Sequence, residues 1–279
     1  MTLWNAIILG IVQGIAEFLP ISSSGHLSVL QNLFHMSTAE EGHMFFDVML
    51  HFGTLISICV VYWKDIVAMV RETLLVLSGG GKKLSTAERR NLPAARMVMM
   101  VIFATLPLVL IMPVKDKVEE LYYHTFVIGL FFIITGFILF VSDKMPRGTR
   151  NEKTMRVRDA VVIGLCQCVA TIPGISRSGS TITAGMATGM DREFAVKFSF
   201  IMSIPAVLGA SLLTLIDALK TGINASFLPV YLAGTVVSTV VGILAIKLVK
   251  SITSKGKFGN FCYYCWTVGV LTILLSLLF

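Results

Sequence analysis

Charge is what this chain has least of. Only 14% of its 279 residues are Asp, Glu, Lys or Arg, against 55% hydrophobic, where a soluble domain carries about 25% charged residues. A soluble globular protein is excluded on that ground. Residues 1–63 hold no Lys or Arg at all; they therefore lack the basic leader of a signal peptide, run into Glu17 and offer no small-residue cleavage site. Cysteine is scarce too. Cys59, Cys166, Cys168, Cys262 and Cys265 lie in apolar sequence, without the spaced Cys or His partners of a zinc site, and read as small buried hydrophobes. The formal net charge of +7 does not point to nucleic acid, because the basic residues sit in short connections between apolar runs. No nucleic-acid partner is expected.

Apolar length is what the chain does have. A crossing helix needs about 20 apolar residues, and 45–63, 97–113, 123–142, 194–215, 227–249 and 261–279 each supply a run of that kind. Two further stretches, 1–30 and 159–190, are broken by Gly, Pro, Ser and ionisable residues, which an ordinary lipid-facing span does not tolerate. The expected fold is all-α: a polytopic membrane protein of six full transmembrane helices plus two re-entrant helical hairpins, in one integral membrane domain over 1–279.

The basic residues orient it. Lys64, Arg71, Lys82, Lys83, Arg89, Arg90 and Arg96 fill a loop at 64–96; Lys144, Arg147, Arg150, Lys153, Arg156 and Arg158 fill another at 142–158; Lys247, Lys250, Lys255 and Lys257 mark a third. The positive-inside rule makes these connections cytoplasmic and places both termini outside. Either interrupted stretch, crossing fully, would put a basic loop on the wrong side, so each must enter and leave on one face, and the two meet near the midplane.

The chain also repeats itself. GIVQGIAEFLPISSSGH, Gly10 to His26, aligns without gaps with GLCQCVATIPGISRSGS, Gly164 to Ser180, pairing Gln13 with Gln167, Ser22 with Ser176, Ser24 with Ser178 and Gly25 with Gly179. Chance likeness between apolar segments favours Leu, Ile and Val, not Gln and Ser-x-Ser-Gly. A weaker echo pairs FDVMLHFG, from Phe46, with FSFIMSIP, from Phe198. The halves are expected at about 1–142 and 159–279, joined by a basic loop at 143–158. Three crossings per half make the copies inverted, an architecture built around broken helices and a midplane site. Helix N-termini at such breaks attract anions, which suits a phosphate.

The breaks hold the reactive residues. Glu17 is an intramembrane carboxylate, costly and usually functional, and shares a helix face with Gln13. Its plain alternative is a structural hydrogen bond. After Pro20 come Ser22, Ser23, Ser24, Gly25 and His26: hydroxyls, a flexible glycine and an imidazole that exchanges protons near neutral pH. The second copy carries Ser176, Arg177, Ser178, Gly179, Ser180 and Thr181, and Arg177 is a permanent cation suited to phosphate or, structurally, to pairing with Glu17. Asp47 and His51, four apart on the first span, are supporting candidates.

QGIAEFLPISSSGH and PGISRSGST resemble the two signature motifs of the undecaprenyl-diphosphate phosphatases, the bacitracin-resistance family, and the resemblance covers nearly the whole chain. It implies hydrolysis of a C55 polyprenyl diphosphate to the monophosphate carrier for peptidoglycan synthesis, at an outward-opening site in the bacterial plasma membrane. It implies a catalytic set of Glu17, Ser23, His26 and Arg177, with Gln13, Ser22, Ser24, Gly25, Ser176, Ser178, Gly179 and Thr181 around the substrate. It further implies a divalent cation, Mg2+ or Ca2+, held by Glu17; the motif's leading position is Gln13 here, so no second carboxylate joins it there. Ser23 then attacks with His26 as base, or Glu17 and His26 activate water. The expected partners are the polyprenyl diphosphate and bilayer lipids; a homodimer is open, though nothing specifies it. A transporter or flippase of an anionic polyprenyl lipid is the alternative that inverted repeats allow.

Overall fold

The computed structural model describes residues 2–33, 43–78, 92–221 and 225–278. Its elements are α1 (Leu3–Ala16), α2 (Ser23–Leu33), α3 (His43–Val61), α4 (Trp63–Leu77), α5 (Pro93–Thr105), α6 (Lys115–Glu120) and α7 (Thr125–Ser142). After the basic connection come α8 (Val157–Val169), α9 (Arg177–Ala187), α10 (Arg192–Thr221), α11 (Leu228–Ser254) and α12 (Phe261–Leu278). Among the described residues there is no strand, only an isolated bridge between Arg150 and Met190.

Five stretches are long and apolar enough to cross a bilayer alone among the described residues, and a sixth if α3 and α4, bent by 80° at Tyr62, are counted together. Two expectations shift. The stretch at 97–113 does not continue as α-helix, because Pro107 and Pro113 cannot supply the backbone N–H that its ladder needs; Leu106–Val114 winds as a 3-10 helix within a span running Pro93–Tyr123. The basic stretch at 64–96 is not wholly loop, since α4 occupies Trp63–Leu77. Lys82, Lys83, Arg89 and Arg90 lie outside the described residues.

The two interrupted stretches form helical hairpins. α1 has 14 residues, about 21 Å at 1.5 Å per residue, against a hydrocarbon core of about 30 Å. α2, α8 and α9 are shorter still. The offset of the sequence repeat carries α2 onto α9 end for end: adding 154 to Ser23 and Leu33 gives Arg177 and Ala187.

Packing follows the same pairing. α1 and α3 lie along α11, α8 and α10 lie along α5, and α7 packs on α12. In lipid the helices associate through close backbone approach and hydroxyl hydrogen bonds rather than through hydrophobicity. A Cβ on Gly14 would come within 2.8 Å of the Ser238 carbonyl, and Ser238 Oγ donates to the Leu50 carbonyl at 3.0 Å.

The basic connections meet at one end of the bundle. Arg96 donates to the Met155 carbonyl at 2.6 Å, the Gly259 N–H donates to Asp143 at 2.7 Å, and Arg192 pairs with Asp143 at 3.3 Å. The second hairpin is anchored there too, Arg150 bridging Asp159 at the start of α8 and the Thr188 carbonyl at the end of α9. The first hairpin is tied to the opposite end, where Asn32 donates to the Tyr122 carbonyl and to Thr125. The hairpins thus enter from opposite ends, and their tips touch in the middle.

Candidate active site

Each tip is a helix ending, a short turn and a new helix N-terminus. α1 closes at Glu17, whose N–H reaches the Gln13 carbonyl at 3.0 Å. Pro20 prevents continuation, and Ser22 takes a left-handed backbone, φ 67°. That conformation costs a non-glycine residue about 1–3 kcal/mol and gathers at functional sites. Its carbonyl accepts the His26 N–H at 3.2 Å and starts α2. At the other tip Gly174 is left-handed, φ 93°, and Ser176 caps α9 by accepting the Gly179 N–H at 3.0 Å. Thr135 locks this turn, donating to the Gly174 carbonyl at 2.8 Å and accepting from Ser176 N–H at 3.0 Å.

Glu17 is the centre of the contact between tips. Ser23 Oγ donates to its Oε2 at 2.7 Å, Gln13 Nε2 donates to the same oxygen at 3.1 Å, and Arg177 Nη2 is ion-paired with Oε1. The carboxylate is thereby held by three donors, one from its own helix, one across the turn and one from the other half of the chain. The pair is largely out of solvent, with 17% of the Arg177 and 6% of the Glu17 side chain exposed. Charge-assisted bonds of this kind are about twice as strong as neutral ones. One donor and one acceptor are left over: buried Arg177 Nη1 and the Gln13 carbonyl Oε1 have no partner among the described residues.

Neither ring nitrogen of His26 is bonded to Ser23. Its Nδ1 lies 2.8 Å from the Ser22 carbonyl, which can only accept, so the ring proton belongs on Nδ1. Nε2 then accepts from Tyr264 Oη at 2.7 Å, with the two rings stacked at 5.7 Å. Phe132 closes the other side of the imidazole edge-on.

Comparison with known proteins gives the family. The family model described as bacitracin resistance protein BacA matches residues 6–271. This chain belongs to that family. A relative from Alkaliphilus metalliredigens, named undecaprenyl-diphosphatase, is 41% identical and aligned over the whole of both chains. Another of that name, from Methanosphaera stadtmanae, is 38% identical over 98% of this chain and 97% of its own. A third, from Halothermothrix orenii, is 37% identical over the full length of each.

The remaining candidates of the family motif take structural contacts in this structure. Ser178 donates to the Leu19 carbonyl at 3.1 Å, tying tip to tip. Thr181 lies 2.6 Å from Ser199 and donates to the Arg177 carbonyl. Ser24 Oγ is 3.4 Å from Ser22 Oγ. His51 donates through Nδ1 to the Asp47 carbonyl at 2.8 Å and lies within electrostatic reach of Glu17. Gly25 lets the tips touch: a Cβ there would sit 2.7 Å from the Phe132 ring and 3.0 Å from Gly174 backbone. Gly25→Ala is therefore expected to cost about 1–3 kcal/mol of stability, read as a lower unfolding temperature in detergent.

Tyr264 is the residue that motif reasoning misses. It sits at the edge of an apolar run, where a tyrosine reads as an interfacial anchor. Losing the bond to His26 costs about 1 kcal/mol, so Tyr264→Phe is expected to lower kcat/KM about fivefold. An unchanged rate would show that the orientation of His26 does not matter.

A divalent cation can be tested against the donor set. No group of three or more His, Cys, Asp or Glu is gathered among the described residues, so these residues form no cage of their own. Mg2+ commonly binds through one or two carboxylates together with substrate phosphates; the carboxylate at this site is Glu17, both of whose oxygens already meet donors.

Proposed function

We propose that this chain hydrolyses undecaprenyl diphosphate to undecaprenyl phosphate and inorganic phosphate, recycling the lipid carrier for peptidoglycan synthesis and conferring bacitracin resistance. The observation that carries the reading is the assembly of Ser23, Glu17 and Arg177 where the two hairpin tips meet: a nucleophile, a proton acceptor and a cation within one buried contact. The orientation that goes with it puts the basic end in the cytoplasm, both termini outside, and the site open to the outer face of the plasma membrane. The clustering of the basic connections at one end supports it. Halves meeting at about 1–142 and 159–279 supply one tip each.

Phosphoryl transfer is governed by positioning and by neutralisation of charge on the transferring group. Arg177, with Nη1 unspent, lies at the N-terminus of α9, where helix N–H groups favour anions. Ser23 Oγ bonds to the terminal phosphorus as the bond to the bridging oxygen breaks. That oxygen leaves with its electron pair as undecaprenyl phosphate, and the serine proton passes to Glu17. Water then attacks the phosphoserine; the serine oxygen recovers its proton from Glu17 and dihydrogen phosphate departs. The 2.7 Å bond from Ser23 to Glu17 supports Glu17, rather than His26, as the proton acceptor of the first step. His26, whose Nε2 the Tyr264 hydroxyl occupies in the resting site, would take a proton from the attacking water and return it to the departing phosphate. A divalent cation held by Glu17 and the diphosphate would neutralise charge there.

The direct test is incubation of the detergent-purified chain with C55 diphosphate, with and without chelator. Equal amounts of phosphate and C55 monophosphate are expected, with loss on chelation if the cation is needed. Bound lipid with no phosphate released would favour the second reading, a transporter of anionic polyprenyl lipid, which the opposed broken hairpins would also serve.

A further inference from the structure

α4 has no place in the chemistry just described, yet its surface is sorted into three sectors. Trp63, Val67, Val70, Leu74 and Leu77 recur at helical spacing and are between 44% and 76% exposed, an unbroken apolar stripe on one face. A second face turns to the protein. Asp65 pairs with Lys197 of α10 at 2.5 Å, Glu72 accepts the Ala94 and Ala95 N–H groups that open α5 at 2.8 and 2.9 Å, and Ile66 and Met69 pack on the core. The third edge carries Lys64 and Arg71, two helical turns apart, both exposed and without an acidic partner among the described residues. Both acids of the helix are thus consumed inward, and both cations are left facing outward.

The bend supplies the direction. α3 is mostly apolar and packs on α10 and α11, and α4 departs from it at 80°. With α3 along the bilayer normal, α4 lies nearly in the membrane plane. It lies at the basic end of the bundle, beside the start of α5 and next to the connection that Arg96 binds. A helix lying in that plane with a free apolar stripe sinks the stripe to the acyl boundary and keeps its long cationic side chains at headgroup level.

We propose that α4 is an in-plane anchor on the leaflet at the basic end, its stripe seated at the acyl boundary and Lys64 and Arg71 binding anionic phospholipid headgroups. Charge complementarity selects the lipid class, because a basic residue at such a surface attracts anionic lipid independently of any fitted pocket.

Trp63 is a built-in reporter. The full-length protein and its Trp63→Phe variant, each in phosphatidylcholine vesicles with or without phosphatidylglycerol, are compared using lipids brominated near the glycerol ester or near the chain end. The difference in quenching between the two proteins belongs to Trp63. It is expected to be greatest for the shallow bromines. Stronger quenching by the deep bromines would make α4 part of a broken span and overturn the proposal, as would no quenching by either. The second arm measures enrichment of phosphatidylglycerol over phosphatidylcholine around the reconstituted protein. Lys64→Gln with Arg71→Gln is expected to reduce it about fivefold for each charge removed, with the Trp63 depth retained. Unchanged enrichment would remove the headgroup assignment.

Discussion

Replacing Arg177 with alanine lowers phosphate release from C55 diphosphate by about 10³-fold or more, the scale on which a phosphoryl-stabilising arginine acts. Two losses combine. The cation placed for the transferring phosphoryl group disappears, and Glu17 loses its ion-pair partner in a largely buried setting. Breaking a buried pair from one side costs about 3–5 kcal/mol, so the variant should also unfold at a lower temperature in detergent. Arg177→Lys separates the two losses. It restores the charge beside Glu17, and with it most of the stability, but an ammonium lacks the planar fork that binds carboxylate and phosphate together. Stability that recovers while activity stays low would assign Arg177 to the substrate as well as to Glu17. Recovery of both would leave only the pairing role.

Replacing Ser23 with alanine is expected to lower the rate by about 10⁶-fold, the order lost when a covalent nucleophile is removed. The same substitution discriminates the two routes. If water attacks directly, Glu17 remains held by Gln13 and Arg177, and the loss should stay within about 100-fold, the value of one hydrogen bond to a charged group. The serine route further predicts that acid quenching during turnover of substrate labelled at the terminal phosphate leaves label on the protein, and none on Ser23→Ala.

Much of this arrangement is legible in the residues alone because lipid punishes polarity. Glu17 and the Ser-rich breaks stand out in a chain with so little charge, and the repeat of Gln13 to Gly25 as Gln167 to Gly179 by itself marks two equivalent turns. α2 and α9 begin and end at the positions that this repeat relates. The pairing of Glu17 with Arg177, 160 residues apart, is one of two roles that the sequence leaves open for the arginine, since a guanidinium that binds phosphate and one that neutralises a carboxylate have the same residue letter.

Other contacts carry no local signal. The acceptor for Ser23 is six residues away across a turn whose left-handed Ser22 is not written in any glycine, so spacing does not choose between Glu17 and His26. Tyr264 reaches His26 from 238 residues away, and only the packing of α12 on α7 brings it there. α4 is hidden for a different reason. Its stripe of Trp63, Val67, Val70, Leu74 and Leu77 has plain helical period, but Lys64 and Arg71 also satisfy the pattern of a basic cytoplasmic connection, and charge counting does not distinguish a loop from the helix that lies there.

The most direct measurement of the central claim is phosphate release from C55 diphosphate by wild type and by Glu17→Gln, with lipid binding followed in parallel. Glu17→Gln keeps the shape of the side chain but removes the proton acceptor of Ser23 and the counter-charge of Arg177. The account predicts that the wild type turns over, and that the variant still binds the lipid but releases phosphate about 10³-fold more slowly, within the range ascribed to acid–base catalysis. A variant that turns over at close to the wild-type rate would contradict it, and would take the chemistry away from the meeting point of the two hairpin tips.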